Sequence, residues 1–482
     1  MYDVAVIGAG IIGSAVAREL SKYHVKAAVI ERENDVATGS TKANSAILHA
    51  GYDPACGTKM AKHNVRGSKL AKELCRRLSV PYKQIGSLVL AFNDADMETV
   101  RKLYDRGVQN GVEGMKILTL KEVLDKEPNI NSDIKGALWA PSCAIVNPWE
   151  YAIALAENAH DNGVDFYLDH RVTGIEKRDG AFVIRTVKEP IEAKYVINAA
   201  GVYADKINNM VGGNEFTITA NKGSYFLLDK SQGNLVHTVV FQCPSRAGKG
   251  VLVSPTVHGN LIVGPDAVDV DDREDRGTPK ASLDYVREMS QRSCPSISFR
   301  DNIRNFAGLR AQSSEESDFL IEESRVCPGF INLSVIKSPG LTSAPSIAEE
   351  AVEILEGMGL ELIQKEQFIA DRQKVVFKEL SVEEKEKIVK ENPLYGRIIC
   401  RCETVTEGEI VDALKSPLCP PSLDAVKRRA GSGMGRCQGG FCGPRVAEII
   451  SREKGVPMME ILQDRTGSNI LVAQTKTEGG SL

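Results

Sequence analysis

The first thirty-one residues constrain the fold most, because a glycine turn separates two short apolar runs. The runs at residues 4–7 and 26–30 each predict a strand, and the residues between them predict a helix with a face of small side chains. In the sequence Gly8-x-Gly10-x-x-Gly13, the first glycine permits a tight turn and the second lets the backbone approach a pyrophosphate. The third, Gly13, lets helix and strand pack closely. This unit predicts a dinucleotide site with phosphates at the helix N-terminus.

The nature of the dinucleotide depends on Glu31 and on segments further along the chain. A carboxylate directly after the second strand can accept hydrogen bonds from a ribose and would repel a 2′-phosphate, which fits FAD or NAD. Three further segments rich in small residues, 37–53, 193–205 and 331–355, are more than an NAD site needs and favour FAD. The last predicts a strand, a Pro-Gly loop and a helix starting near Pro345, whose N-terminus would stabilise the negative charge of a reduced flavin.

Length and charge narrow the class of protein. A chain of 482 residues is expected to form two or three domains. A net charge of -4 gives no general attraction to nucleic acid or anionic lipid. No apolar run is long enough to span a bilayer, and the first residues lack the basic region of a signal peptide, so we expect a cytoplasmic protein without a transmembrane segment.

The middle of the chain predicts a sheet that would cover the flavin. Residues 250–267 are expected to form a hairpin that turns at residues 258–260, and residues 221–230 and 235–244 are expected to form short strands.

The last hundred residues contain four cysteines in two close pairs, spaced C-x-C, 34 residues and C-x4-C. Helices are expected over residues 407–415, 422–430 and 444–454, which places both pairs in loops at helix N-termini where thiolates are stabilised. Such a set can hold Zn²⁺ or a [2Fe–2S] cluster. The glycine-rich loop around the second pair favours the cluster, and zinc and an empty fold remain the alternatives. The expected ligands are Cys400, Cys402, Cys437 and Cys442.

Several of these segments together resemble a known family. "VAVIGAGIIGSAVARELS", "NSAILHAGYD", "VINAAGVYADKI", "GVLVSPTVHGNLIVGPDA", "AGLRA" and "SPGLTSAPSIA" resemble the FAD-dependent oxidoreductases of the D-amino-acid oxidase and glycerol-3-phosphate dehydrogenase type. The resemblance is greatest to the anaerobic glycerol-3-phosphate dehydrogenases and the L-2-hydroxyglutarate oxidases. It covers about the first 360 residues. The cysteine segment resembles the bacterioferritin-associated-ferredoxin-like [2Fe–2S] domain.

The resemblance implies an α/β fold in which a Rossmann-like FAD-binding domain carries an inserted antiparallel-sheet substrate domain. A small helical [2Fe–2S]-binding domain follows at the C-terminal end. The expected boundaries are 1–79, 141–215 and 301–360 for the FAD-binding domain, 80–140 and 216–300 for the substrate domain, 361–395 for a linker with a helix at 381–391, 396–465 for the [2Fe–2S]-binding domain, and 466–482 for a tail.

The resemblance also implies roles for individual residues. Arg310 matches the arginine that holds the anionic group of the substrate, and Lys222 is a second candidate cation. His49 is expected to be the base or to orient the flavin ring, and covalent attachment of flavin through it is not expected. The predicted FAD contacts are Gly8, Gly10, Gly13, Glu31, Ser40, Thr41, Asn44, Ser45, Val172, Ala200, Gly201, Gly308, Gly340, Leu341 and Thr342.

The implied activity is oxidation of sn-glycerol 3-phosphate to dihydroxyacetone phosphate. Electrons would leave through FAD and the cluster to a second flavoprotein or iron–sulfur subunit, or to a quinone-linked acceptor that brings the protein to the membrane periphery. The glycerol-3-phosphate enzymes usually have Gly-Gly-Lys-Leu-Thr where this chain has Ser338-Pro339-Gly340-Leu341-Thr342. L-2-hydroxyglutarate or another 2-hydroxy acid is therefore an alternative substrate. Oxidation of a secondary amine and a non-enzymatic redox-sensing role are further alternatives.

Overall fold

The computed structural model of this chain describes residues 1–244 and 250–473. Of the expected substrate domain, residues 245–249 lie outside the described residues, as do residues 474–482 of the expected tail. The chain divides into two compact units. The first consists of Met1–Ile30 and Ala37–Arg372, and the second of Glu31–Val36 and Gln373 onward. The domain boundaries expected from the sequence stay predictions.

The α-helices are numbered in chain order over the described residues. They are α1 (Ile11–Leu20), α2 (Lys59–Arg77), α3 (Asp94–Gln109), α4 (Leu120–Lys126), α5 (Pro148–Asp161), α6 (Ala204–Asn209), α7 (Lys280–Ser293), α8 (Gly340–Gly357), α9 (Val382–Glu391), α10 (Glu407–Lys415), α11 (Leu423–Ala430) and α12 (Gly443–Lys454). None of these helices, within the described ranges, is both long and apolar enough to cross a membrane.

The strands are numbered in the same way. They are β1 (Tyr2–Ile7), β2 (Ala27–Ile30), β3 (Ile47–Leu48), β4 (Tyr82–Gln84), β5 (Ser87–Ala91), β6 (Lys116–Thr119), β7 (Gly136–Ala140), β8 (Ala144–Val146), β9 (Asp165–Tyr167), β10 (Val172–Arg178), β11 (Ala181–Thr186), β12 (Ile191–Asn198), β13 (Thr219–Leu228), β14 (Val239–Gln242), β15 (Leu252–Pro255), β16 (Leu261–Gly264), β17 (Val268–Val270), β18 (Asn302–Gln312), β19 (Leu320–Glu323), β20 (Phe330–Ser334), β21 (Ile398–Cys400) and β22 (Val405–Thr406).

The predicted βαβ unit lies in the first of two large sheets. Strand β1 pairs in parallel with β2 and with β12, and β12 pairs in parallel with β20. The interior of these strands is a continuous apolar run because helices α1, α5 and α8 pack against the sheet or against one another. The carboxyl ends of three neighbouring strands coincide, since Ile7 is in register with both Ile30 and Asn198. In parallel sheets, ligands bind at this edge.

The second large sheet, counted over the described residues, has nine strands and carries the expected hairpin. Strands β15 and β16 are antiparallel around residues 256–260, which confirms the predicted hairpin. Strand β13 pairs over its whole length with β18, and β5, β7 and β6 extend the sheet beyond β14. The pairs are antiparallel except for β14 and β5, which run parallel. Strand β18, which carries Arg310, therefore belongs to this sheet rather than to the first one.

The second unit is mostly helical, as predicted. Helix α10 begins after Thr406, which forms a capping box with Glu409, and spans the residues expected from that pattern. Helix α11 ends at Gly431 in the left-handed conformation, with φ of 84°, and Ser422 caps its first turn. The predicted linker helix is present as α9, capped by Ser381. The core of this unit packs apolar faces of α10, α11 and α12 together.

One predicted helix start is wrong. The sequence predicts that helix α8 begins near Pro345, but it begins at Gly340, and the proline lies inside it. Proline is tolerated early in a helix because the first turn makes no intrahelical N–H bonds. The loss of one hydrogen bond just beyond that turn is offset by burial, since residues 342–348 are buried.

Candidate functional site

The glycine turn at residues 8–13 is built by direct contact between backbones. A Cβ atom on Gly13 would lie 1.9 Å from the carbonyl oxygen of Gly8, and one on Gly8 would lie 2.6 Å from the oxygen of Ala199. Gly8 also has φ of +105°. A Cβ atom on Gly10 would meet only the Thr41 hydroxyl, at 3.4 Å, so this glycine faces open space. Gly8 and Gly13 therefore serve packing, and Gly10 leaves room for a ligand.

Residues that follow the other two strand ends lie at the same edge of the first sheet. Glu31 follows β2 directly, and its carboxylate accepts a hydrogen bond from the Glu33 N–H at 3.0 Å. Ala200 and Gly201 follow β12. Gly201 has φ of +57°, a backbone conformation that residues with a Cβ atom rarely adopt. Val172 and Ala200 both pack against the apolar cluster of this sheet. The structure therefore brings Gly8, Ala200 and Gly201 to one sheet edge.

The segment at residues 40–46 crosses over strand β18. The Ser40 hydroxyl donates to the Leu309 carbonyl at 2.6 Å, and a Cβ on Gly308 would lie 1.8 Å from the carbonyl oxygen of Ala43. The Thr41 hydroxyl accepts the Ile11 N–H at 3.0 Å and so fixes the segment to the start of α1. Gly308 is thus required by this backbone crossing, which answers why a glycine is found at this predicted cofactor position.

Two further side chains of this segment fix its path. The Asn44 amide donates to the Thr41 carbonyl at 2.8 Å, and its oxygen accepts the Ala46 N–H at 2.8 Å. Ser45 and Tyr225 share a hydroxyl–hydroxyl hydrogen bond at 3.1 Å, which joins the segment to β13.

His49 is held on several sides. Its backbone N–H donates to the Thr342 hydroxyl at 2.9 Å, and its Nε2 lies 3.3 Å from the Ser338 hydroxyl. Its ring stacks on Phe241 with centroids 5.8 Å apart, and its carbonyl accepts the Asn64 amide at 2.7 Å. A small pocket opens beside it, lined by His49, Gly51, Tyr52, Asp53, Pro54, Asn64 and Pro339. This imidazole is both fixed and next to free space.

Arg310 lies on the face of β18 that the cofactor segment crosses. The register pairs Arg310 with Asn221 and Gly308 with Gly223, and residues two apart on a strand share a face. The guanidinium donates to the Asn221 side-chain oxygen at 2.6 Å and to the Asp266 carbonyl at 3.3 Å. A Cβ on Gly223 would lie 2.5 Å from the guanidinium, so this glycine makes room for it. No carboxylate pairs with Arg310 among the residues that the structure describes.

Lys222 lies on the opposite face of the same sheet. It is directly across from Leu309, one residue out of phase with Arg310, so the two predicted cations are not brought together. The lysine is 5% exposed, and its ammonium group donates to the Asp275 carboxylate at 2.5 Å. Asp275 neutralises the charge that was predicted to bind a substrate, and the pKa of Asp275 is lowered by the hydrogen bond from Lys222.

Helices α1 and α8 both begin without a side-chain cap from the residue before them, which is Gly10 in one case and Pro339 in the other. Gly340, Leu341 and Thr342 form the first turn of α8. The N–H groups at the start of a helix favour an anionic ligand. Some of them already bond to the protein here, since the Ile11 N–H donates to the Thr41 hydroxyl and the N–H groups of Gly340 and Thr342 donate to the carbonyls of Lys337 and Pro339. Together with the open space at Gly10, these two helix ends fit a dinucleotide whose phosphates lie at α1.

The four cysteines of the second unit form a chain of thiol contacts. Cys400 contacts both Cys442 and Cys402, with 3.7 Å between the sulfurs of Cys400 and Cys402, and Cys402 contacts Cys437. Within residues 1–244 and 250–473, no three Cys, His, Asp or Glu side chains are grouped tightly as ligands of one metal ion. An extended set of four thiols fits a two-iron cluster, in which each iron is bound by two of the four cysteine sulfurs.

Backbone N–H groups surround these thiols. The hydrogen bond from Cys442 and the N–H groups of Gly433 and Glu403 lower the pKa of Cys400 to about 5, although burial opposes the shift. The N–H groups of Phe441 and Gly439 lower the pKa of Cys437.

The pKa values of the other two thiols are raised. Burial and the neighbouring Cys400 raise the pKa of Cys402 to about 11, and the hydrogen bond with Cys400 and burial raise the pKa of Cys442. A Cβ on Gly435 would lie 2.5 Å from the Cys402 sulfur, so the glycine-rich loop is needed for sulfur to fit.

A glycine turn before a helix, at the carboxyl edge of a parallel sheet, is the geometry of a dinucleotide-binding protein. Comparison with known families agrees. The FAD dependent oxidoreductase family matches residues 3–354, and the BFD-like [2Fe-2S] binding domain matches residues 398–452.

Individual relatives give the same picture. "Glycerol 3-phosphate dehydrogenase" of Caloramator mitchellensis is 52% identical over 479 residues, which cover 99% of this chain and 100% of that protein. "Glycerol 3-phosphate oxidase" of Mycoplasma genitalium is 35% identical, covering 73% of this chain and 94% of that protein. The solved structure of dithionite-reduced L-alpha-glycerophosphate oxidase from Mycoplasma pneumoniae with FAD bound is 33% identical with a TM-score of 0.74, covering 78% of this chain and 99% of that one.

The chain belongs to the FAD dependent oxidoreductase family and carries a BFD-like [2Fe–2S] binding domain after it. It is an FAD-dependent oxidoreductase, and its cofactors are FAD and a [2Fe–2S] cluster. The resemblance inferred from the sequence, the fold class and the preference for the cluster over zinc are thereby confirmed. The contacts of individual residues with either cofactor stay predictions.

Sequence reasoning missed Ser338, Asn221 and Tyr225, which contact His49, Arg310 and Ser45 respectively. Asn221 stands beside the predicted Lys222 in the sequence, and the alternation of side chains along a strand was the available signal. Ser338 and Tyr225 lie far along the chain from their partners, and nothing in the local sequence points to either contact.

Proposed function

We propose that this chain oxidises sn-glycerol 3-phosphate to dihydroxyacetone phosphate. The observation that carries the proposal is the 52% identity to the Caloramator mitchellensis protein, because it extends over 99% of this chain and includes the cysteine module. The placement of Arg310 agrees with an anionic substrate.

In this proposal Arg310 binds the phosphate. A guanidinium can donate two parallel hydrogen bonds to a phosphate, and Asn221 and the Asp266 carbonyl hold it in position for this. Since no described carboxylate neutralises it, the substrate supplies the missing negative charge. Lys222 is left out of this role because Asp275 already pairs with it.

We propose His49 as the base that removes the hydroxyl proton of the substrate. Its Nε2 lies 3.3 Å from the Ser338 hydroxyl, and the stack on Phe241 and the Thr342 hydroxyl limit its movement. Bound FAD supplies the acceptor for the hydride that leaves the neighbouring carbon. Residues 8–13, 40–45, 200–201, 308 and 340–342, with Glu31 and Val172, are the proposed cofactor contacts.

Electrons are proposed to leave through a [2Fe–2S] cluster held by Cys400, Cys402, Cys437 and Cys442. The cluster would supply one-electron transfer from a two-electron donor to an external acceptor. That acceptor is proposed to be a second flavoprotein or iron–sulfur subunit, or a quinone-linked acceptor.

The test is anaerobic bleaching of the flavin absorption band on addition of glycerol 3-phosphate to the purified holoenzyme. We expect rapid bleaching at millimolar substrate, followed by partial loss of the cluster absorption. In Arg310→Lys, kcat/KM is expected to fall by about 100-fold because lysine cannot form the two-pronged contact. Arg304→Lys on the same strand is the matched control and is expected to behave like the wild type. Absence of bleaching in the wild type would refute the proposal.

L-2-Hydroxyglutarate is the second candidate substrate. The L-2-hydroxyglutarate dehydrogenase of Escherichia coli strain K12 is 29% identical over 73% of this chain. The residues from Ser338 to Thr342 also favour it, because they depart from the Gly-Gly-Lys-Leu-Thr of the glycerol-3-phosphate enzymes. Bleaching by L-2-hydroxyglutarate but not by glycerol 3-phosphate would replace the first proposal, and bleaching only by a secondary amine such as sarcosine would replace both.

A further inference from the structure

Arg310 lies at one end of a row of three polar side chains that crosses three neighbouring strands. Strand β13 pairs with β17 and with β18, and its Asn221 is directly opposite Asp269 of β17 and Arg310 of β18. Directly opposed residues on paired strands project from the same face of the sheet. The register therefore places a carboxylate, an amide and a guanidinium side by side in the first unit.

Two short hydrogen bonds join the side chains of this row. The Asn221 amide nitrogen donates to the Asp269 carboxylate at 2.7 Å, and the Asn221 amide oxygen accepts from the Arg310 guanidinium at 2.6 Å. Asn221 is buried, with 6% of its surface exposed, whereas Asp269 is exposed. A buried amide group that loses its partner is destabilised, so both bonds restrain the position of Asn221.

The amide of Asn221 satisfies both neighbours in one orientation. A carboxylate only accepts hydrogen bonds and a guanidinium only donates them. In the reverse orientation the amide oxygen would meet the Asp269 carboxylate and the NH2 group would meet Arg310, and both bonds would be lost. Asp269 therefore anchors the amide from the side opposite Arg310, through a charge-assisted bond.

The position of Arg310 depends strongly on this anchored amide. The other acceptor among the described residues is the Asp266 carbonyl, at the longer distance of 3.3 Å. On the side of Gly223 the guanidinium has room but no bond, since a Cβ atom there would lie 2.5 Å from it. The Asn221 oxygen thus sets the direction in which Arg310 presents its remaining N–H groups.

We infer that Asp269 is a positioning residue for the anionic group of the substrate and acts through Asn221 on Arg310. The inference rests on the proposed binding of phosphate by Arg310 and adds the residues that orient it. A direct effect of the Asp269 charge has the opposite sign. A carboxylate two strand spacings away, about 10 Å, repels an anion at Arg310, and salt screens that repulsion. Loss of Asp269 weakens anion binding if the residue positions Arg310 and strengthens it if charge dominates.

The first test measures anion binding without turnover, by calorimetric titration of oxidised holoenzyme with inorganic phosphate. Asp269→Ala is expected to weaken phosphate binding by about fivefold, because the Asn221 amide loses its anchor. Asp269→Asn removes the same charge but keeps an oxygen that accepts from Asn221, so binding is expected to stay within about twofold of the wild type. Tighter binding in both variants, unchanged binding in Asp269→Ala, or no phosphate binding by the wild type would overturn the inference.

A double-variant cycle tests whether Asp269 acts through Asn221. Asn221→Ala is expected to weaken phosphate binding by about tenfold, and Asp269→Ala is expected to add no further loss in that background. An equal further loss would refute the inference. Asp271→Ala, which removes an exposed acid two residues further on, is the control and is expected to leave binding unchanged. Because Asp269 is exposed, the two variants at that position decide the question even if Asn221→Ala loses FAD.

Steady-state kinetics separate positioning of the substrate from an effect on hydride transfer. With glycerol 3-phosphate and a soluble dye as electron acceptor, Asp269→Ala is expected to raise KM by about fivefold and to keep kcat within about twofold. A fall in kcat at unchanged KM would contradict the inference. If glycerol 3-phosphate fails to bleach the flavin of the wild type, the proposed function fails, whereas the phosphate titration still decides the role of Asp269.

Discussion

The two glycine-rich loops of this protein use glycine for different reasons. In the turn at residues 8–13, Cβ atoms on Gly8 and Gly13 would collide with backbone oxygens, so these glycines allow strand, helix and neighbouring strand to touch. In the loop at residues 431–443, Gly431, Gly433 and Gly439 have φ between 84° and 88°, and added Cβ atoms there would meet little. Close packing requires glycine in the first loop. In the second loop glycine is required by the backbone conformation, which directs N–H groups at the cysteine sulfurs.

The largest expected effect is that of Gly13→Ala. Its Cβ would lie 1.9 Å from the Gly8 oxygen, where neither backbone can yield, so we expect a loss of about 3 kcal/mol or more in unfolding free energy and purified protein nearly free of FAD. Differential scanning calorimetry and flavin absorption measure both. Gly357→Ala at the end of α8, where nothing lies within 4 Å, is the control and is expected to be neutral or slightly stabilising. Normal FAD content in Gly13→Ala would contradict the packing role.

The second expected effect concerns a buried charge in the second unit. Asp35 is fully buried and pairs with Arg428 and Arg429 at 2.8 Å. Burial by itself would raise the pKa of Asp35, but the charges of Arg429 and Arg428 lower it overall. Asp35→Asn is expected to cost about 3 kcal/mol at neutral pH, because two buried guanidinium groups lose their shared partner.

The pH dependence of that effect has a defined sign. The pKa of Asp35 is lower in the folded protein than in the unfolded chain, where it is about 3.9. The ion pairs of Asp35 therefore stabilise the fold fully above that pH, and this stabilisation is lost as the pH falls through the pKa of the folded state. Denaturant titrations of the full chain at several pH values should therefore show the difference between wild type and Asp35→Asn shrinking in acid. Glu391→Gln, whose ion pair with Lys387 is exposed, is the control and is expected to have little effect at any pH. A pH-independent difference would exclude the charge as its cause.

A smaller effect is expected from Gly435→Ala, which tests the one glycine of the second loop that packs against sulfur. Its Cβ would lie 2.5 Å from the Cys402 sulfur, so we expect iron and acid-labile sulfide to fall to about half or less while FAD content stays normal. Gly440→Ala, whose nearest contact is the Cys437 oxygen at 3.2 Å, is expected to keep its iron. Equal iron in both variants would remove the distinction between the two positions.

The smallest expected effect comes from a side-chain hydrogen bond in the first unit, in contrast to the backbone packing tested by Gly13→Ala. Tyr225→Phe removes the hydroxyl bond to Ser45 but keeps the ring stacked on Phe306, with centroids 4.8 Å apart. We expect about 1 kcal/mol of weaker FAD binding in Tyr225→Phe, and no further loss when Tyr225→Phe is added to Ser45→Ala. Additive losses in the double variant would show that the two hydroxyls act separately.

The sequence predicted the structural features that depend on residues close together in the chain. The βαβ unit and the capped helices of the second unit follow from glycine spacing and from capping boxes such as Thr406 with Glu409, and the structure has them. The early start of α8 was missed because Pro345 is typical of a helix start, whereas burial keeps the proline inside the helix.

Contacts that depend on strand register could not be predicted from the sequence. Arg310 and Lys222 are both cations on adjacent strands, and only their pairing with Asn221 and Leu309 reveals that they point to opposite faces. The Asp275 partner of Lys222 comes from a loop after β17, which local patterns do not place.

Among the described residues, Arg310 bonds to neutral partners and to no carboxylate. This has a practical consequence for handling the protein. A guanidinium held in place by neutral partners attracts any small tetrahedral anion of the right size, and inorganic phosphate and sulfate share the geometry of a phosphate ester. Buffers and precipitants containing these ions are expected to act as competitive inhibitors. Kinetic work on this enzyme therefore belongs in buffers free of oxyanions.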